Sequence, residues 1–283
     1  MTAYDVTSTP RWRRLAGGDP LLLAGAFLLV LMVLIACLAP VLAPYSPSQT
    51  DILAANQGPS GAHWLGTDST GRDIYSRLLF GARLTLLGPT LIIAIATVVG
   101  VALAISAVWF GGWYDAAVSR TLNVLFALPG LLVAIVAVAV IGTGLTAPVV
   151  ALALAYMPYI ARVLRSVALR ERSLAYVEAG QLVGLSGWAV CRRHLLPNVM
   201  PIIRAQATLA FGSALVDLAA VSYLGLGVQP PTAEWGVMVA SGQSSLLNGY
   251  PWESLTAGVA IVIVVVLVNM VGERLALRAE RTP

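Results

Sequence analysis

The stretch ERSLAYVEAGQLVGLSGWAVCRRHLLPNVMP, residues 171–201, decides how the whole chain folds. It is polar and rich in arginine, and apolar runs near 146–168 and 199–222 flank it on both sides. Each run has the length of about 20 residues that a helix needs to cross a bilayer. The stretch therefore connects two membrane spans and is exposed to water at one membrane surface.

Residue types within this connector predict a helical hairpin. Good helix formers run from Glu171 to Val183, and Gly184 then breaks the helix. Trp188 to His194 can add a second turn or two. Leu196-Pro197 ends the hairpin, because proline disfavours helix in the residue before it and suits the first turn of a new helix. Three side chains are candidate anchors for a partner protein, namely Tyr176, Leu182 and Trp188.

Composition makes the bilayer the solvent for most of the chain. Hydrophobic residues occupy 58% of the 283 positions and only 11% are charged, against about 25% in soluble domains. All 17 basic side chains are arginine. Because a phosphate-binding P-loop requires a lysine, the chain is predicted to carry no ATPase site of its own. The net charge of +4 and the isolated His63 and His194 predict neither nucleic-acid binding nor a metal site.

Six apolar runs predict an all-α fold with six membrane helices. The runs lie near 21–43, 85–108, 121–141, 146–168, 199–222 and 255–274. The first run exceeds the roughly 7–15 residues of a signal-peptide core, so it is predicted to remain as a membrane helix.

The distribution of arginine predicts the orientation. With both termini inside, 14 arginines fall in cytoplasmic segments, and only Arg72, Arg77 and Arg83 fall outside. The positive-inside rule therefore places both termini and residues 171–201 in the cytoplasm. The predicted divisions are a cytoplasmic tail (1–20), a first membrane helix (21–43), an external loop (44–83), a five-helix core (84–274) and a second cytoplasmic tail (275–283).

Two further motifs lie on the opposite side of the membrane from the hairpin. LGTDSTGRD at 65–73 precedes the second span, and SYLGLGVQPPTAEWG at 222–236 follows the fifth. Together with Glu178-Ala179-Gly180, Gly184 and Leu196-Pro197, they resemble the C-type permease of dipeptide, oligopeptide and nickel importers of the ABC class. In that family the connector is the cytoplasmic EAA loop.

The resemblance implies a type I ABC importer permease fold and a role in importing di- or oligopeptides, with nickel or another small solute as the alternative cargo. The implied setting is the cell membrane, with lipid around the chain. Implied partners are a homologous permease, one or two ATPase subunits that bind ATP and magnesium, and an extracytoplasmic substrate-binding protein. The residues implied to couple to the ATPase are Glu178, Ala179, Gly180, Gly184, Leu196 and Pro197.

Asp217 is the acidic residue deepest in a predicted span. Burying it unpaired would cost about 2.5–3.5 kcal/mol, so it is predicted either to line the transport pathway or to be a helix-end carboxylate near the outer surface. Pro230, Pro231 and Trp235 are predicted to shape the outer mouth or to contact the binding protein; the alternative is that their segment plugs the end of the helix bundle. Turn capping is predicted for Asp68, Asp73 and Glu234.

Two other classes of protein stay open at this point. A secondary transporter or channel that works alone would carry paired charges or inverted repeats in its spans, and Asp217 is its only support. A structural membrane anchor would not need the polar connector.

Overall fold

A computed structural model describes residues 19–281, in which the only β pairing is an isolated bridge between Thr67 and Asp73. The predicted tail 1–20, with Arg11, Arg13 and Arg14, lies almost wholly outside the described residues. The five long helices are α1 (Pro20–Cys37), α3 (Ile74–Phe110), α6 (Thr146–Arg172), α9 (Leu196–Tyr223) and α12 (Trp252–Arg281). The shorter ones are α2 (Ala39–Leu42), α4 (Gly112–Phe126), α5 (Gly130–Ile141), α7 (Ala175–Leu182), α8 (Gly187–Val190), α10 (Trp235–Ser241) and α11 (Gln243–Leu247).

Five helical segments are long and apolar enough to cross a membrane, and α4 with α5 gives a sixth if that bent pair is one span. The predicted all-α fold is therefore confirmed. We call the end of the bundle where α6 stops and α9 starts the hairpin end, and the end where α9 stops and α12 starts the loop end.

Close helix contacts hold the long helices together. α3 packs along α6, where a Cβ on Gly100 would lie 3.2 Å from the carbonyl oxygen of Met157. α9 packs along α12, where a Cβ on Gly212 would lie 2.8 Å from the Asn269 side chain. Small residues at helix interfaces let backbones approach closely, which is how helices associate in lipid.

The third predicted span, 121–141, is not one continuous helix. α4 ends at Phe126 and α5 begins at Gly130, and the two axes differ by 84°. Pro129 causes the break, because it disfavours helix in Leu128 and itself adopts an extended conformation with ψ 123°. Irregular backbone at membrane depth is tolerated where it is buried in protein or lines a cavity.

The second membrane helix begins at Ile74 and not near residue 85. The Asp73 side chain caps it by accepting a hydrogen bond from the backbone N–H of Ser76 at 2.8 Å. Arg77 and Arg83, assigned from the sequence to an external loop, therefore lie within α3. Likewise α12 continues to Arg281, through most of the predicted tail 275–283.

The three predicted capping carboxylates all act as caps. Besides Asp73, Glu234 accepts hydrogen bonds from the N–H groups of Gly236 and Val237 at the start of α10, each at 3.0 Å. Asp68 accepts from the N–H groups of Thr70 and Arg72 at 2.8 and 3.0 Å. Burial raises the pKa of Asp68, but these hydrogen bonds and the Arg72 charge outweigh it, so that the pKa lies below its usual value.

Arg77 joins distant segments at the loop end. Its side chain is fully buried, and Nη1 donates to the carbonyl oxygens of Pro47 at 3.0 Å and Pro231 at 3.2 Å. Its Nε lies 3.5 Å from Asp68 and 3.9 Å from Glu253. One guanidinium therefore connects α3 to the loop before it, to the loop after α9, and to the start of α12.

Replacing Arg77 with Met should destabilise the protein by about 3–5 kcal/mol, because the buried Glu253 would lose its ion-pair partner and the carbonyl oxygens of Pro47 and Pro231 would lose their donor. The measurement is thermal unfolding of the detergent-solubilised chain, followed by tryptophan fluorescence. Arg120→Met, at an exposed position on α4, is the matched control. Equal unfolding temperatures for the two variants would contradict the assigned role of Arg77.

Candidate coupling hairpin and membrane cavity

The connector forms the predicted hairpin, with α7 as the first arm and α8 as the second. Gly184 ends the first arm with φ +84°, a left-handed conformation that favours glycine. Ser186 begins the second arm by accepting a hydrogen bond from the N–H of Ala189 at 3.3 Å.

Leu196-Pro197 does not end the hairpin, which corrects the expectation from the sequence. A π-helical turn over Cys191–Leu195 joins α8 to α9, and Pro197 lies in the first turn of α9. The second arm and the membrane helix are thus continuous from Gly187 to Tyr223.

Trp109, near the end of α3, supports the hairpin. A Cβ on Gly187 would lie 2.4 Å from the Trp109 ring, so only glycine permits this approach. Arg172 also lies over this ring, with its guanidinium carbon 5.6 Å from the Trp109 ring centroid, and it donates a hydrogen bond to the carbonyl of Val108. The role of Trp109 was not predicted from the sequence, because its neighbours in the chain do not indicate a contact with the hairpin.

Tyr176 ties the first arm to the membrane helices. Its hydroxyl donates to Glu171 at 2.7 Å and accepts from Asn198 at 2.8 Å. Burial and the hydrogen bond to Glu171 raise the pKa of Tyr176. The residue is half-buried, so the prediction of an exposed anchor is wrong for Tyr176.

The tip of the hairpin carries an exposed apolar patch. Leu182, Val183 and Trp188 are 88%, 83% and 75% exposed. The sequence predicted Leu182 and Trp188 as anchors and missed Val183. We call these three side chains the tip patch.

The remaining predicted coupling residues differ in exposure. Glu178, Ala179, Gly184 and Pro197 are exposed, whereas Gly180 and Leu196 are half-buried. A Cβ on Gly180 would meet Leu185 and Val190 at 3.6 and 3.7 Å, so Gly180 lies where the two arms touch.

Asp217 lies in an open cavity of about 550 Å³ between α6, α9 and the break before α5. The Tyr156 hydroxyl donates a hydrogen bond to Asp217 Oδ2 at 2.7 Å. Leu128, Pro129 and Gly130, from the bent pair, line the same cavity. The break in the third span therefore opens the space that the carboxylate faces.

Trp235 is buried at the loop end, 3% exposed, and this corrects its predicted contact with another protein. Its indole N–H donates to the carbonyl of Leu78 at 2.9 Å, and its backbone N–H donates to Thr85 at 3.0 Å. The side chain packs into that end of the helix bundle. Pro230 and Pro231 are exposed beside it.

Comparison with known families agrees with this architecture. Residues 96–282 match the family described as "Binding-protein-dependent transport system inner membrane component". Residues 11–59 match the "N-terminal TM domain of oligopeptide transport permease C". The chain belongs to the binding-protein-dependent permease family. It is thus an integral membrane permease subunit of an ABC importer.

Relatives of this permease include several transport proteins of bacteria. It is 37% identical over 265 residues to the glutathione transport system permease protein GsiD of Pectobacterium atrosepticum, covering 93% of this chain and 87% of that one. It is 36% identical to the probable D,D-dipeptide permease DdpC of Escherichia coli K12 (90% and 86% covered). The dipeptide permease DppC of Alkalihalophilus pseudofirmus is also 36% identical (91% and 84% covered).

Solved structures share the fold of this permease at lower identity. The inward-facing methionine transporter MetNI aligns with a TM-score of 0.58 at 21% identity, covering 72% of this chain and 96% of that one. An amino acid ABC transporter aligns with a TM-score of 0.52 at 19% identity, covering 73% and 94%.

Trp109→Ala should free the hairpin of the permease, because it removes the ring against which Gly187 and Arg172 pack. Loss of a partly buried aromatic contact worth about 1.4 kcal/mol corresponds to about tenfold faster amide exchange through local opening in 175–195. Hydrogen–deuterium exchange measures this directly. Trp113→Ala, at an 82% exposed tryptophan on α4, should leave the exchange rate unchanged. Equal exchange rates in the two variants would show that Trp109 does not support the hairpin.

Proposed function

We propose that this permease imports di- or oligopeptides. An ATPase subunit would contact the hairpin end, and the cargo would enter at the loop end. Peptide cargo is supported by the relatives named for dipeptide and glutathione transport, which align over most of both chains. The cavity presents the Asp217 carboxylate together with the polar side chains of Tyr156, Tyr159 and Ser213, as a pathway for polar cargo requires.

In the proposed orientation both termini and the hairpin face the cytoplasm. The support is the placement of 14 of the 17 arginines in the segments that this orientation puts inside. The hairpin end of the fold carries an arginine-rich surface, with Arg192 and Arg193 exposed on the π turn.

The proposed ATPase contact is the tip patch, together with the exposed Glu178 and Ala179. The side chains of the tip patch are each at least 75% exposed. Exposing large apolar side chains to water is unfavourable, and such side chains are typical anchors of an interface. ATP and magnesium would bind to that partner, because this chain has no lysine with which to build a P-loop.

Continuity of the second arm with α9 provides the proposed route of coupling. A displacement of α8 by the ATPase would be carried along one helical rod to Asp217, because α9 continues without a break from the π turn. The flexible turn at Gly184 lets the two arms close on a partner without bending that rod.

The other proposed partners are a homologous permease, which would complete the pathway, and a substrate-binding protein at the loop end. The exposed Pro230-Pro231 segment is the proposed part of the outer mouth. It is held in place by the buried Trp235 and by the bond from Arg77 to the Pro231 carbonyl.

Leu182→Glu should weaken ATPase binding at least tenfold, because it places a charge in the centre of an apolar contact whose anchors are each worth about 2 kcal/mol or more. Co-purification of the ATPase with a tagged permease measures this. The matched control is Leu247→Glu, at an 82% exposed leucine of the loop end. Undiminished ATPase recovery with Leu182→Glu would show that the tip patch is not the contact.

The isolated chain should show no saturable ATP binding. The reason is the absence of lysine from the entire sequence. Equilibrium dialysis with radiolabelled ATP, using the purified permease free of ATPase subunits, is the measurement. Binding that saturates and is competed by unlabelled ATP would contradict the proposal that ATP binds only to a separate subunit.

A further inference from the structure

The carboxylate of Asp217 has a hydroxyl partner but no fixed positive charge. Across residues 19–281, no arginine or histidine nitrogen lies within 4.0 Å of it. The bond from Tyr156 occupies Oδ2 and leaves further acceptor positions on a carboxylate that is only half-buried. A membrane-embedded acidic group without a counter-ion normally faces a water-filled cavity or a substrate path.

The arginines on the neighbouring face of α6 are held by other groups. Arg162 donates to the side chain of Asn123 at 2.7 Å and lies over the Phe126 ring at 4.2 Å. Arg165 forms a two-pronged ion pair with Asp115, with contacts of 2.6 and 2.5 Å. Both positive charges are therefore committed to α4, and neither neutralises Asp217.

The cavity wall around Asp217 suits an organic cation. Aromatic rings of Tyr156 and Tyr159 line it, and such rings attract ammonium groups through their negative faces. Apolar groups from Pro129 and Leu209 complete the wall. A volume of about 550 Å³ lies within the roughly 300–1,000 Å³ of small-molecule sites.

We propose that Asp217 is the counter-ion for the primary ammonium group of the cargo, the amino terminus of a short peptide, as it passes this cavity. The inference rests on the peptide import proposed above. In this arrangement Tyr156 orients the carboxylate, one oxygen of Asp217 accepts hydrogen bonds from the ammonium, and the aromatic and apolar wall contacts the first side chain of the peptide.

The test is uptake of radiolabelled alanyl-alanine by the complete importer in proteoliposomes, with ATP hydrolysis stimulated by the loaded binding protein measured in parallel. Asp217→Asn retains an acceptor for Tyr156 but removes the charge. It should lower uptake at least about tenfold, because a hydrogen bond to a charged group loses that much on neutralisation. Asp217→Glu should recover most of the uptake. Stimulated ATP hydrolysis, measured in parallel, checks that the variant complexes assemble.

Two further variants separate a counter-ion from a structural residue. Tyr156→Phe removes the hydrogen bond and keeps the charge, so it should lower uptake much less than Asp217→Asn does. If Tyr156→Phe is as damaging, Asp217 acts only through that hydrogen bond and the inference is wrong. Glu273→Gln, at an exposed carboxylate on α12, is the control for loss of one negative charge and should transport normally.

The outcomes also distinguish this inference from the function on which it rests. If the wild-type importer takes up alanyl-alanine and Asp217→Asn does so at the same rate, the counter-ion role is wrong, whereas the proposal of peptide import stands. If the wild-type importer takes up no alanyl-alanine, the proposal of peptide import is wrong, and the proposed ammonium site is wrong as well.

Discussion

Burial of one guanidinium group constrains the whole loop end. Arg77 has no exposed surface, and a charge removed from water must be met by protein groups. Those groups come from the loop before α3, the loop after α9 and the first turn of α12. Segments far apart in sequence must therefore converge before Arg77 can be buried at all. That convergence brings Pro231, and with it the nearby Trp235, against α3.

The two ends of the molecule are built on different principles. At the loop end, polar groups of fixed geometry hold the chain, and the large aromatic side chain is inside. At the hairpin end, a few apolar contacts around Trp109 and the two hydrogen bonds of the Tyr176 hydroxyl support the arms. The first arrangement resists movement, whereas the second leaves surface free and has few contacts to break. A transport subunit needs both a rigid end that holds the helices in place and a connector that can move.

Hydropathy and helix-breaking residues predicted much of this fold. The six apolar runs, the hairpin and the capping roles of Asp68, Asp73 and Glu234 all follow from local residue types. The start of α3 was missed because its first turns are amphipathic and carry Arg77 and Arg83, which hydropathy assigns to water. The bend at Pro129 was missed because a proline in an apolar run is compatible with both a kink and a full break.

The candidate site was predictable only in part, and the reason is the separation of its members along the chain. Asp217 stands out as an acidic residue in an apolar span, but its partner Tyr156 is 61 residues away and lies on another helix. Trp235 has polar and glycine neighbours in sequence, which indicate an exposed loop, and only tertiary packing buries it. Val183 was overlooked because a single valine after a helix has no pattern of its own.

The length of α3 has a consequence for the shape that the permease presents outside the lipid. Its 37 residues span about 55 Å at 1.5 Å per residue, and even a tilt of about 40° leaves roughly 42 Å along the membrane normal. The hydrocarbon core is only about 30 Å thick. The roughly 12 Å by which α3 exceeds the core therefore lie outside the acyl chains, and at least one end of the helix extends into the lipid headgroup layer.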